Sequence, residues 1–171
     1  MTMNRRTFLS IGLFAVLLIQ MVACSSIDCP FMNTVYTTYQ LKQGEEQADT
    51  LRDTLSVWIH RFDATDSVVL NKAVNVTSFN LPMSYTNPED SLFFCIVHKG
   101  SKESQVFSMI LDTVVVRKTN IPHFESVDCS PKYFHEITDV NYTHNGINLI
   151  EIKNTSVTYE PKNHFYIYFK H

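Results

Sequence analysis

Beyond residue 24, no stretch of this 171-residue chain keeps apolar residues at helical spacing for three turns, and alternation with a period of two dominates instead. A strand turns successive side chains to opposite faces, so this chain must fold by burying sheet faces against one another. Val35, Thr37, Tyr39 and Leu41 fall on one side of the first run. Leu55, Val57 and Ile59 share a face of the next, with Trp58 and His60 opposite. Val68 to Leu70 and Val74 to Phe79 follow, divided by Asn71-Lys72. Leu92 to Val97 is apolar on both faces, the mark of a central strand. Val106 to Val116 is long and apolar, with Asp112 expected to bend or bulge it. Asn145-Gly146 predicts a tight hairpin, because both residues tolerate positive φ. Ile147 to Ile152 and Phe165 to Phe169 then alternate as closing strands. Short strands between frequent turn signals predict an all-β domain, a single two-sheet antiparallel sandwich, Ig-like or related, with a small barrel as the alternative.

An N-terminal signal helix precedes that body. Residues 1–23 carry Arg5 and Arg6 and no acid, then the apolar stretch Phe8 to Ile19, then Met21-Val22-Ala23-Cys24. The apolar core is shorter than the ~20 residues a membrane span needs. Met21 to Cys24 resembles the bacterial lipobox, with Met where Leu is usual. The resemblance implies cleavage before Cys24 and acylation of that cysteine with diacylglycerol and a fatty acid such as palmitate. Asn4-Arg5-Arg6-Thr7-Phe8-Leu9 also resembles the twin-arginine export motif. It lacks the usual Ser or Thr before the arginines, so export as an unfolded chain is expected. The organisation read from this is a signal peptide at 1–23, a lipid-anchored linker at 24–32 and a β-sandwich at 33–171. Asp28 is the one acid close behind Cys24, which points to the periplasmic face of the outer membrane rather than the cell surface.

Lys and Arg number 14, of which Arg5 and Arg6 belong to the signal, against 17 Asp and Glu. The mature chain is therefore acidic and has no basic run, which excludes nucleic acid as a partner. Hydrophobic residues at 44% and charged residues at 18% exclude a disordered tail. Cys29, Cys95 and Cys129 remain after lipidation. Asp28-Cys29-Pro30 and Asp128-Cys129-Ser130-Pro131 are both turn-like, whereas Cys95 sits inside an apolar run as a small hydrophobe. A Cys29–Cys129 disulfide is the expected pairing, with both thiols staying free as the alternative.

Cys129 to Phe134, Ile147 to Ile152 and His164 to Phe169, together with Asp28-Cys29 and Asp112-Thr113-Val114, resemble a family of small Bacteroidota lipoproteins of unknown function. The resemblance implies an envelope lipoprotein of β fold and no activity.

The seven histidines show no HxH or HxxxH spacing, and neither CxxC nor an EF-hand loop occurs, so no metal and no cofactor is expected. GxSxG and SxxK are also missing. The expected function is a non-catalytic binding or structural module, held on the membrane by its lipid and meeting an envelope protein or glycan. The alternative is a hydrolase or metal-dependent enzyme whose site is assembled from loops. Aromatic residues make up 12% of the chain, and Tyr166 and Tyr168 oppose Phe165, Ile167 and Phe169, as Tyr36 opposes Val35, offering a platform for stacking. Asp followed by Ser or Thr and an apolar residue recurs at Thr50, Thr54, Ser67, Ser91 and Thr113. The pattern resembles the O-glycosylation acceptor of exported Bacteroidota proteins, and it equally suits a turn leading into a strand.

Overall fold

The structure is a computed structural model that describes residues 35–60, 65–98, 108–127 and 129–170. The expected signal helix, the linker and Cys29 lie outside them. The described residues form strands and no helix: β1 (Tyr36–Gln43), β2 (Gln47–Ala48), β3 (Thr54–His60), β4 (Asp66–Ala73), β5 (Ser78–Pro82), β6 (Glu89–His98), β7 (Ser108–His123), β8 (Lys132–Tyr142), β9 (Ile147–Ile152), β10 (Ser156–Val157) and β11 (Phe165–Phe169). A five-stranded sheet runs β2-β1-β11-β9, with β5 also paired to β1. A six-stranded sheet runs β10-β8-β7-β6-β3-β4. Neither closes into a barrel.

The alternation places the core. Val35, Thr37, Tyr39 and Leu41 are buried, as are Leu55 and Val57, while Trp58 and His60 turn away. Tyr39 stacks on Phe79 at 5.1 Å and on Phe165 at 4.6 Å within its own sheet, and meets the edge of Phe94 from the other sheet at 6.2 Å. One apolar cluster therefore draws on both sheets, with Leu81, Ile147, Ile150 and Ile167 facing Leu92, Ile96, Val114 and Ile137. β6 lies between β3 and β7, the central position its two-sided apolar character predicts.

Several local expectations are corrected. The sandwich is not wholly antiparallel, because β1 runs parallel to β11 through Tyr39–Phe165 and Leu41–Ile167. Asn71-Lys72 does not divide two strands but lies inside β4, where Lys72 adopts φ 49°. The strand expected at Val74 to Phe79 is displaced to β5.

Asp112 makes neither bend nor bulge. It sits in unbroken register opposite Phe94, and the irregularity of β7 falls between Arg117 and Lys118. The Asn-Gly segment is not a hairpin either. It forms the corner where the chain leaves β8 in one sheet for β9 in the other, and neither Asn145 nor Gly146 has positive φ. Asp112 stitches that corner. Its carboxylate accepts the backbone N–H of Asn145 (2.8 Å), Gly146 (2.6 Å) and Ile147 (2.8 Å) and the hydroxyl of Thr143 (2.6 Å). Gly146 is needed here for space, since a Cβ would lie 2.7 Å from Ile96 Cδ1 and 3.1 Å from Ile110 Cγ2.

Candidate functional site

Strand register decides which residues share the outer face of the six-stranded sheet. Trp58 pairs with Val68 on one side and Phe93 on the other, Ser56 with Cys95 and Cys95 with Leu111, and Val97 with Met109. Directly paired residues point to the same face, and the core residues Leu55, Val57, Leu92, Phe94 and Ile96 take the opposite one. The outer face thus carries a continuous apolar strip. Trp58 and Phe93 stack at 6.0 Å, and His60 leans on Phe93 at 4.4 Å. Val68 is 60% exposed, Met109 65% and Leu111 46%. Cys95 lies on this face too, yet its neighbours keep it buried, and burial pushes its thiol up.

A groove of about 740 Å³ adjoins the strip, lined by His60 and Phe93 from the face, Ser67, Glu89 and Ser91 from the strand starts, and Tyr85 from the β5–β6 connection. Buried polar groups behind it hold that connection in one shape. Asp90 accepts the Ser84 N–H and pairs with the Lys118 ammonium at 2.8 Å. Lys118 also donates to the Asn87 carbonyl at 2.8 Å, through a side chain wholly removed from solvent. Asn120 donates to the carbonyls of Tyr85 and Asn87, each at 3.0 Å, which leaves its oxygen to accept from His135 Nδ1 at 2.8 Å. Burial raises the Asp90 carboxyl above its ordinary range even though Lys118 and Ser84 oppose the shift. The groove wall is therefore preformed.

Its chemistry is that of stacking and hydrogen bonding. His60 and Asp66 are bonded at the rim, but among the described residues no hydrogen bond joins His60 to Ser67 or Ser91. No group of three or more His, Cys, Asp or Glu among them is placed to hold a metal ion.

The tyrosine platform expected on the closing strand is overturned. Tyr168 is buried, with its hydroxyl donating to Glu151 at 3.2 Å. Tyr166 is covered by the ammonium groups of Lys42 and Lys153, 4.6 and 4.8 Å from its ring centre. Tyr36 is exposed. Of the five hydroxyls in the Asp-Ser/Thr pattern, Thr50 and Ser91 are exposed, while Thr54, Ser67 and Thr113 are half-buried. The preceding aspartates have structural partners: Asp49 caps Thr50 N–H, Asp53 pairs with His98, Asp66 with His60, Asp90 with Lys118, and Asp112 holds the corner. Cys95 is the free thiol among the described residues. Cys24 and Cys29 lie outside them.

These features define an all-β domain of two facing sheets with an apolar outer sheet face. Residues 54–169 match a family of unknown function, DUF6452, and the chain belongs to that family. No curated protein and no solved structure matches it. The matched span runs from the first residue of β3 to the last of β11. It takes in the whole six-stranded sheet and leaves out β1 and β2.

Proposed function

We propose that this protein is a lipid-anchored, non-catalytic module of the bacterial envelope that holds a partner protein against the outer face of β4-β3-β6-β7. The observation that carries this reading is the apolar strip of Val68, Trp58, Phe93, Leu111 and Met109. Contiguous exposed patches of this kind mark interaction surfaces, and buried aromatic and aliphatic anchors dominate protein interfaces. A glycan would need polar groups beside its stacking ring, and the strip offers mostly Val, Leu and Met. The leader and the lipobox-like Met21 to Cys24 support the anchor, the resemblance to Bacteroidota lipoproteins supports the outer membrane, and Asp28 as the one acid close behind Cys24 supports its periplasmic face.

Capture of the tagged, lipidated protein from envelope membranes in mild detergent tests the reading. A specific protein partner is expected with the wild type, and Leu111→Glu is expected to reduce its recovery about tenfold, equivalent to ~1.4 kcal/mol. Recovery of no partner, together with turnover in a hydrolase panel, would reverse the choice in favour of an enzyme assembled from loops. A specific glycan in place of a protein would move the site to the groove.

The covalent features are read by one peptide map. Non-reducing digestion is expected to yield an acylated Cys24 peptide and a Cys29–Cys129 cross-linked peptide, with hexose confined to the exposed acceptors Thr50 and Ser91. A bridge containing Cys95 would contradict its burial in β6.

A further inference from the structure

A second exposed apolar surface lies at one end of the strands and meets the groove beside the sheet face at Tyr85. Tyr36 and Tyr159 line one small pocket at the start of β1. Tyr159 meets the edges of Phe134 at 5.0 Å and His123 at 6.2 Å. Phe134 pairs with Ile121 across β7 and β8, whose connecting loop carries Phe124, 64% exposed, and Val127, 99% exposed. Tyr85 reaches the same end by stacking on Tyr133 at 5.5 Å. The turns at the opposite ends of these strands are polar, with Gly44-Glu45-Glu46 after β1 and Thr143-His144-Asn145 after β8. Among the described residues, two carboxylates beside the apolar end are neutralised, Glu125 by Lys132 and Glu160 by Lys162, both at 2.7 Å.

We infer that this end rests on the lipid bilayer, with Phe124 and Val127 entering the interface and Tyr36, Tyr85 and Tyr159 at headgroup level. Three observations favour a membrane over other occupants. β1 begins at Tyr36, at this same end. Cys24 lies only eleven residues before Val35, a reach of at most ~35–40 Å when fully extended. The residues are also of the right kind: tyrosines around an aliphatic and aromatic tip, with paired charges, match the composition of membrane-interface belts. The Cys29–Cys129 bridge proposed above would tighten the arrangement, since Cys129 sits in the same β7–β8 loop and Cys29 is five residues from Cys24. Such an end adds a second, orienting contact to the acyl anchor. It also leaves the outer face of the six-stranded sheet standing away from the bilayer, open to a partner.

The inference rests on the lipid-anchor reading, and the test separates the two. The full-length protein, produced in its membrane with p-benzoylphenylalanine incorporated at Phe124, Val127 or, as control, Leu111, is irradiated and digested, and phospholipid adducts are measured by mass spectrometry. Adduct yields at positions 124 and 127 are expected to exceed that at 111 at least fivefold. Yields no higher than at 111, or adducts to protein at 124 and 127, overturn the inference whether or not Cys24 is acylated. The N-terminal peptide of the same digests reports acylation, so an unmodified Cys24 counts against the anchor alone.

Discussion

Asp112→Ala is expected to lower the unfolding free energy by about 3–5 kcal/mol, a large share of the 5–15 kcal/mol a domain of this kind possesses. The side chain is 2% exposed and receives four hydrogen bonds. Alanine leaves the N–H groups of Gly146 and Ile147 buried without an acceptor, at about 1–3 kcal/mol each. Asn145 and Thr143 are exposed enough for water to replace part of their loss. Burial raises the Asp112 carboxyl, but the bonds from Thr143, Asn145, Gly146 and Ile147 outweigh it and hold the group below the usual carboxylate range. Asp112→Asn, which keeps the shape but turns an amide donor toward the N–H groups, is expected to lose roughly half as much. Urea unfolding of the three proteins at pH 7 measures this. A loss under about 1 kcal/mol for alanine would mean that the corner does not depend on its carboxylate.

The same corner marks where the sequence stops being legible. The alternation in β1, β3, β6 and β11 could be read because inward and outward positions differ within a few neighbouring residues, and the core of Tyr39, Leu55, Val57, Phe94 and Ile167 follows from it. The Asn-Gly segment misled because turn chemistry is local. What shapes it is an acceptor more than thirty residues earlier in the chain and the closeness of Ile96 and Ile110. The parallel β1–β11 pair is equally non-local, since nothing in either strand names its partner. Charges on the inner side of β7 and β8 were hidden for the same reason. Lys118 follows Val114 and Val116 on the buried side, and only the return of the β5–β6 connection gives its ammonium partners. At the candidate site, Trp58 could be read as facing away from the core. Its neighbours Val68 and Phe93, and the addition of Leu111 and Met109, required the register. The alternation in β11 points instead to Tyr166 and Tyr168 as the aromatic platform, and Lys42, Lys153 and Glu151 cover them.

Two buried histidines, His135 in β8 and His164 just before β11, lead to a second large effect, a loss of stability between neutral and mildly acidic pH. His135 is 2% exposed, and burial, aided by the nearby Lys118 ammonium, brings its imidazole down to about 4. His164 is 1% exposed. Burial lowers it as well, with Lys162 in the same direction and the Ser156 carbonyl opposing. Geometry holds His164 neutral, because its Nδ1 accepts the Thr38 N–H at 3.0 Å and the ring so carries its proton on Nε2, whereas His135, whose Nδ1 donates to Asn120, is kept neutral by burial and Lys118. An unfolded histidine titrates near 6.5, so below that pH the unfolded chain binds protons the folded chain refuses. The stabilisation is complete above about 6.5 and is lost as pH falls toward 4. At ~1.4 kcal/mol per pH unit of separation, His135 alone accounts for about 3 kcal/mol over that window. Asp90, whose carboxyl is raised, works in the other sense and offsets part of the loss near the bottom of the window. Urea unfolding between pH 7.5 and 4.5 is therefore expected to show a falling midpoint for the wild type. His135→Gln, which still offers Asn120 a donor but cannot titrate, is expected to flatten the curve. A variant whose midpoint falls in parallel with the wild type would show that the acid sensitivity originates elsewhere.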